Sequence, residues 1–91
     1  FVIKWTTSAE RDIVKVYDFL ARSNPKAAVQ TVKLLIEGIE KIDAFPQLGI
    51  KLDDFKPREV RRIIIGDYEI RYELTKNTLF VLRLWHSRED R

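Results

Sequence analysis

The residues of this 91-residue chain that are best suited to chemistry are its arginines, its single histidine and a few carboxylates. Seven of the nine Arg fall in residues 56–91, where Lys and Arg outnumber Asp and Glu by nine to six, whereas residues 1–55 carry eight of each sign. Arg binds carboxylates and phosphates through two parallel hydrogen bonds, so this segment favours an anionic partner. The alternative is a solvated charged surface, because a net charge of +3 is modest.

The sequence contains no familiar arrangement of metal ligands or catalytic groups. His86 is the only His and there is no Cys, which excludes a thiolate nucleophile, a disulfide framework and a zinc site of Cys and His. Glu69 and Glu73 share one face of a strand but lie roughly 13 Å apart, too far for the paired carboxylates of a retaining glycosidase. Asp53 and Asp54 lack the spacing of a calcium loop. We therefore expect no metal and no cofactor.

Length and composition are typical of one small globular domain. A chain of 91 residues buries enough surface for one compact core and too little for two. Apolar residues make up 45% and charged residues 34%, which excludes a disordered or low-complexity chain. No apolar run approaches the length of a membrane span, and the lack of Cys fits a reducing compartment. We expect a single domain over residues 1–91, no membrane association and a cytoplasmic location.

Periodicity predicts one strand and two helices in the first half of the chain. Residues 1–5 are rich in β-branched and aromatic side chains, which is typical of a strand. The S/T-x-x-E spacing of Thr7 and Glu10 predicts a capping box with Thr7 as the cap of a first helix. Asn24 and Pro25 are suited to the cap and the first position of a second helix. This helix repeats apolar residues at spacings of four and three: Ala28, Val32, Leu35, Ile39 and Ile42, with Val29 and Ile36 widening the stripe.

A two-residue period then replaces the helical one and predicts three strands, over residues 60–65, 68–74 and 79–86. Gly66 and Asp67 form a tight turn between the first two, because Gly supplies the backbone conformation that such a turn needs. The order β-α-α-β-β-β predicts an α+β domain with a helical hairpin packed on one face of an antiparallel sheet. Gly38, inside the second helix, is best explained by close packing of that helix.

The two turns fix the register of these strands and assign their residues to faces. Arg62 falls opposite Arg71, a like-charge pair that costs stability unless an anion or a carboxylate relieves it. Arg83 falls opposite Ile70 on the inner face, so we expect it to reach the sheet edge or to pair with a carboxylate. Trp85 falls on the same inner face, opposite Tyr68.

The opposite face of the predicted sheet carries an apolar row with no helix to cover it. Phe80, Leu82 and Leu84 form this row, with Ile64 on the neighbouring strand and His86 near its end. A large exposed apolar patch on a small domain usually marks the binding site of a partner. The sequence therefore predicts a protein-binding surface on this face.

Several stretches together resemble a known family. They are FPQLG at residues 45–49, RRI at 61–63, GDYEIRY at 66–72 and VLRLWHSRED at 81–90, preceded by a Trp, a Thr and an AERDI segment at the start of the chain. This ordered set resembles the ParE-type toxins of the RelE/ParE superfamily over nearly the whole sequence. The resemblance implies a bacterial toxin of a type II toxin–antitoxin system, associated with plasmid stabilisation and neutralised by a cognate ParD-like antitoxin.

The superfamily divides by target, and the residues around Tyr68 bear on that division. RelE-type members are ribosome-dependent nucleases that cut messenger RNA, whereas ParE-type members inhibit DNA gyrase without a known catalytic residue. In the nucleases a basic residue typically follows the first Tyr of this strand, and an aromatic residue or a His completes the site. Here Glu69 follows Tyr68, and no aromatic residue follows His86. We therefore expect a gyrase inhibitor without a catalytic residue, with the RelE-type nuclease as the alternative.

A third possibility is a small basic nucleic-acid-binding module. Recognition of single-stranded nucleic acid needs exposed aromatic side chains on which bases stack. Tyr68, Tyr72 and Trp85 fall on the predicted inner face, so direct nucleic-acid binding is not expected.

The resemblance and the charge distribution together assign two contact surfaces. The residues expected to contact gyrase are Arg58, Arg61, Arg62, His86, Arg88 and Arg91, with the Arg exposed. The residues expected to bind the antitoxin are Arg62, Ile64, Arg71, Phe80, Leu82 and Leu84.

Overall fold

The computed structural model describes residues 1–89, in which two helices pack on one face of a five-stranded sheet. The elements in chain order are β1 (Val2–Trp5), α1 (Thr7–Ala21), α2 (Pro25–Ala44), β2 (Ile50–Lys51), a short 3₁₀ helix (Asp53–Phe55), β3 (Glu59–Ile65), β4 (Tyr68–Leu74) and β5 (Thr78–His86). The strand order in the sheet is β1-β5-β4-β3-β2. The predicted α+β class with a helical hairpin on one face is confirmed.

Two details of the sheet differ from the prediction. β1 runs parallel to β5, with Trp5 opposite Val81, so the sheet is mixed and not wholly antiparallel. A parallel neighbour needs a crossover connection, and the helical hairpin that follows β1 begins that crossover. β2 is a two-residue strand that pairs Ile50 with Arg62, in a segment where the sequence analysis predicts no strand. Strands of four and two residues are too short for a two-residue period to predict which strand they pair with.

The helix caps show how tertiary contacts choose between neighbouring residues. The predicted cap of α2 is confirmed, because the Asn24 side chain accepts a hydrogen bond from the Ala27 N–H at 3.1 Å. The predicted capping box of α1 is wrong by one residue, since Thr6 and not Thr7 accepts from the Ala9 N–H, at 3.0 Å. The Thr6 hydroxyl also donates to the carbonyl of Leu82 in β5 at 2.8 Å. This long-range bond fixes which of the two adjacent Thr becomes the cap.

The register of the last two strands departs from the prediction at a β-bulge. The pairs up to Tyr72 with Val81 are as expected, but Arg71 then pairs with Arg83, which leaves Leu82 as an extra residue. A bulge shifts every later residue of its strand to the other face. A strict two-residue period carries no signal for the inserted residue.

The bulge corrects four assignments at the end of β5. Leu84, placed on the outer face by the sequence, pairs with Ile70 and is only 1% exposed in the core. His86 pairs with Tyr68, whereas Trp85 moves to the outer face, opposite Glu69. Arg83 pairs with Arg71 instead of Ile70, although its predicted carboxylate partner does exist, as described below.

The core lies between the helical hairpin and the inner face of the sheet. Its buried residues are Ala9, Leu35, Ile39, Ile42, Tyr68, Ile70, Tyr72, Leu74, Leu79, Val81 and Leu84. Gly38 allows α2 to approach β3 closely, because a Cβ at this position would lie 2.6 Å from Cδ1 of Ile65; the predicted packing role is confirmed. Gly66 adopts a φ of 59° in its turn, a conformation that side chains disfavour. No helix within residues 1–89 combines the length and hydrophobicity that crossing a membrane requires.

Candidate functional site

The like-charged pair on the outer face of the sheet is relieved by the protein itself. Arg62 and Arg71 lie opposite each other as predicted. The Glu69 carboxylate lies 3.7 Å from Nη1 of Arg62 and 3.5 Å from Nε of Arg71. The Arg71 Nε is buried and lacks a well-aligned hydrogen bond among the described residues, so charge attraction and not hydrogen bonding links it to Glu69. The carboxylate after Tyr68 therefore offsets one of the two positive charges at the centre of this face.

An aromatic stack covers part of the same face. The Arg71 guanidinium lies 5.0 Å from the ring centroid of Trp85 and 5.9 Å from that of Phe55. Both distances fit cation–π attraction, and Phe55 reaches this position from the 3₁₀ helix that precedes β3. Val60, level with Glu73 on the outer face, is fully buried. The protein thus covers the centre of the outer face, which the sequence analysis predicted to be uncovered.

Arg58 and Arg61 differ in their availability to a partner. Arg58 is exposed and donates two hydrogen bonds to the Glu73 carboxylate, from Nη2 to Oε1 at 2.6 Å and from Nε to Oε2 at 3.1 Å. These bonds hold the pKa of Glu73 below its ordinary value. Arg61 was expected to be exposed, but its side chain is only 13% exposed. It donates to Glu59 at 2.9 Å and to the Gly49 carbonyl at 2.7 Å. These bonds, made on the inner side of β3, give Arg61 a structural role.

The FPQLG segment is fixed by Tyr72 from β4. The Tyr72 hydroxyl accepts a hydrogen bond from the Gly49 N–H at 2.8 Å and donates one to the Pro46 carbonyl at 2.9 Å. Burial raises the pKa of this phenol and keeps it in the neutral form that can donate. The FPQLG segment therefore has a structural role, because its two hydrogen bonds to Tyr72 hold the loop that leads into β2.

An ion pair between a buried carboxylate and a partly exposed Arg joins α1 to the free edge of β5. Asp12 accepts hydrogen bonds from Nε of Arg83 at 2.7 Å, from Nη2 of Arg83 at 3.2 Å and from the Leu84 N–H at 3.0 Å. β1 stops at the level of Val81, so the carboxylate takes over the place of a strand partner for Leu84. Sequence analysis missed Asp12, although a signal exists: it lies three residues after Ala9, inside the apolar stripe of α1.

His86 and Arg88 lie together at the end of β5. The His86 ring meets the Tyr68 ring edge to face, with centroids 5.3 Å apart and planes at 76°. Its Nδ1 accepts a hydrogen bond from the Arg88 N–H at 3.1 Å, and the Arg88 side chain is exposed. A groove of about 630 Å³ opens beside them, lined by Asp12, Lys15, Val16, Phe19, Tyr68, Leu84, Trp85, His86, Arg88 and Glu89.

The residues predicted to contact gyrase therefore do not form one patch. Arg58 is bound to Glu73, whereas His86 lies opposite Tyr68, at the other end of β4. These two positions of β4 are five residues apart, roughly 17 Å along the strand. Arg91 lies outside the described residues.

The predicted antitoxin surface is also smaller than expected. Leu84 belongs to the core, and Arg71 lies between Phe55 and Trp85. Ile64 is 48% exposed, while Arg62, Phe80 and Leu82 are half-buried. Five of the six predicted residues thus remain at least partly accessible, because the Arg71 side chain is still 34% exposed.

Known proteins share this fold and sequence pattern. A chain of the chromosomal ParDE toxin–antitoxin system from P. aeruginosa superimposes with a TM-score of 0.79 at 19% identity, covering 94% of this chain and 95% of that one. A chain of the archaeal RelE-RelB complex from Pyrococcus horikoshii OT3 gives a TM-score of 0.67 at 18% identity, with coverages of 99% and 98%. Toxin RelE1 of Caulobacter vibrioides is 29% identical over 93 residues, covering 100% of this chain and 98% of its own length.

The architecture is thus that of the small α+β toxins of the RelE/ParE superfamily. Residues 3–91 match the family model described as the ParE toxin of the type II toxin–antitoxin system parDE, so the chain belongs to this family. Within residues 1–89, no cluster of three or more His, Asp or Glu is placed to hold a metal ion.

Proposed function

We propose that this toxin inhibits DNA gyrase by direct protein contact and has no catalytic residue of its own. The position of Glu69 carries the proposal. Hydrolytic or transesterifying cleavage of RNA needs positive charge at the phosphate together with a general acid or base. On the outer face Glu69 lies between Arg62 and Arg71 and offsets one of the two positive charges that such a phosphate would need.

The other Arg side chains of the sheet are also engaged by carboxylates of the chain. Arg58 binds Glu73, Arg61 binds Glu59 and Arg83 binds Asp12. Strand Arg residues held this way add rigidity to the sheet, and a phosphate would have to displace a carboxylate at each of them. This arrangement suits a surface that docks on a protein better than one that stabilises a transition state.

The geometry of His86 points the same way. A neutral imidazole carries one proton, and its Nδ1 accepts from the Arg88 N–H, so the proton resides on Nε2. In that tautomer Nδ1 is occupied by the Arg88 N–H and Nε2 is a donor, so the ring is not placed to act as a general base toward a substrate. The second candidate function is a ribosome-dependent messenger RNA endonuclease, which the likeness to Toxin RelE1 favours.

A paired assay distinguishes the two functions. The purified chain, at micromolar concentration or below, should block supercoiling by gyrase or promote gyrase-dependent DNA cleavage. The same preparation should leave messenger RNA intact on programmed ribosomes. Cleavage of ribosome-bound messenger RNA without any effect on gyrase would establish the nuclease instead.

We also propose that a cognate ParD-like antitoxin neutralises the toxin by lying across the outer face of the sheet. Its contacts would be Arg62, Ile64, Phe80 and Leu82. Ile64 is level with Glu69 and Phe80 is level with Glu73, so these two apolar side chains lie at least about 13 Å apart. An elongated segment, apolar at both ends, is the shape that reaches both. The similar solved chains come from a ParDE toxin–antitoxin system and a RelE-RelB complex, which supports an antitoxin partner.

Ile64→Lys tests the antitoxin surface. Ile64 is exposed, so the substitution should leave the fold intact while placing a charge in the proposed interface, and antitoxin binding should weaken about tenfold or more. Isothermal titration with the antitoxin encoded beside the toxin gene measures the change. Val14→Lys is the matched control, because Val14 is similarly exposed on α1. Equal affinities of the two variants would place the antitoxin elsewhere.

A further inference from the structure

The groove beside His86 has an apolar floor that is continuous with the core. It lies between α1 and the end of β5, and its volume falls within the roughly 300–1,000 Å³ of pockets that enclose small ligands or a few side chains. Val16, Leu84 and Trp85 form apolar wall and floor, while Phe19 is 69% exposed at its rim. A large exposed aromatic residue beside an apolar groove is a frequent anchor in protein interfaces.

The rim of this groove carries cations that are available to a partner. Lys15 and Arg88 both line the groove and are exposed, and neither has an ion pair within residues 1–89. This contrasts with the sheet Arg residues, each of which lies near a carboxylate. Of the two acidic residues in the lining, Asp12 is bound by Arg83 and Glu89 is exposed, so with Arg83 counted three cations lie at the groove against two carboxylates. A small excess of positive charge therefore surrounds an apolar centre.

We propose that this groove binds an acidic amphipathic segment of the toxin's target protein. One or two large apolar side chains of the segment enter between Phe19 and Leu84, and carboxylates on either side reach Lys15 and Arg88. The identity of the target rests on the proposed function, whereas the chemistry of the segment rests on the groove. The groove also contains His86 and Arg88, the members of the predicted target surface that lie side by side.

A fluorescein-labelled peptide of alternating Glu and Leu pairs probes this chemistry directly. Its fluorescence anisotropy should rise on titration with the full chain, and the binding should weaken with added salt because exposed charges are screened. The same peptide with Lys in place of Glu should not bind. A stronger response to the Lys peptide, or to a short single-stranded oligonucleotide, would overturn the proposal.

Two groove variants and two matched controls locate the binding. Phe19→Ser and Arg88→Glu should each weaken the acidic peptide about tenfold or more. Phe45→Ser and Lys33→Glu make the same changes at exposed residues outside the groove and should bind like the unaltered chain. Equal binding by all four variants would show that the peptide binds elsewhere.

The gyrase assay separates this inference from the proposed function. If the chain inhibits gyrase and the two groove variants inhibit it equally well, the groove is not the target site although the function stands. If the chain leaves gyrase unaffected but the groove variants lose the acidic peptide, the binding surface stands and a different target protein must be sought.

Discussion

Replacing Gly49 with Ala should lower the free energy of unfolding by about 3 kcal/mol, the upper part of the range for overpacking a fixed site. A Cβ at this position would lie 2.7 Å from the carbonyl oxygen of Arg62 and 2.7 Å from the hydroxyl of Tyr72. The first atom belongs to the backbone of β3, and the second is held by two hydrogen bonds. Neither can move without a further loss, since displacing Tyr72 leaves the buried Gly49 N–H without its partner.

Gly38→Ala is the matched control for this prediction. The Cβ would lie 2.6 Å from Cδ1 and 2.9 Å from Cγ2 of Ile65, which also overpacks the site, but only side-chain atoms are in the way, so a change of the Ile65 rotamer relieves the contact without moving a strand. Ala also favours the helical backbone over Gly by about 1 kcal/mol, which offsets the repacking. Urea unfolding followed by circular dichroism should therefore separate the two variants clearly. If Gly49→Ala unfolds at the midpoint of Gly38→Ala, the Tyr72 contact does not fix the loop.

The sequence predicted those parts of the fold that depend on local patterns. The Asn24 cap, the Gly66 turn and the pairing of Arg62 with Arg71 all follow from residue type and a short-range period. The predicted register of β5 is wrong beyond Val81, where β1 no longer pairs with β5. From there the conformation of β5 depends on bonds from distant residues, and no local pattern encodes them.

Two of those distant residues surround the bulge. Thr6 donates to the carbonyl of Leu82, and Asp12 accepts from the N–H of Leu84. Both contacts come from the start of the chain, more than 70 positions away in sequence. They lie on either side of Arg83 along the edge of the sheet and replace the hydrogen bonds that a neighbouring strand would make.

The bulge also explains why the candidate site was only partly foreseen. By turning Leu84 inward and Trp85 outward, it removes one residue from the predicted apolar row and completes the stack around Arg71. The sequence could not predict the exposure of each Arg either, because that exposure depends on whether a carboxylate distant in sequence reaches the guanidinium. The sequence placed His86 and Arg88 in the target surface, but Lys15 and Phe19 join them only through the packing of α1 on β5.

Arg83→Ala should destabilise the protein by about 2 kcal/mol and loosen the contact between α1 and the edge of β5. The substitution leaves the Asp12 carboxylate, which is 4% exposed, with only the Leu84 N–H as a partner. Breaking a fully buried pair costs roughly 3–5 kcal/mol, and the expected value is lower because the Arg83 side chain is 39% exposed.

Substitutions of Asp12 separate the charge pair from the hydrogen bond to the strand. Asp12→Asn keeps an oxygen for the Leu84 N–H but removes the charge, so it should be more stable than Asp12→Ala. A double-mutant cycle with Arg83→Ala measures the coupling between the two side chains. Arg58→Ala is the control, since it breaks a pair with similar geometry at the surface and should leave the unfolding midpoint nearly unchanged. If Arg83→Ala and Arg58→Ala unfold alike, Asp12 does not hold α1 against the edge strand through its charge.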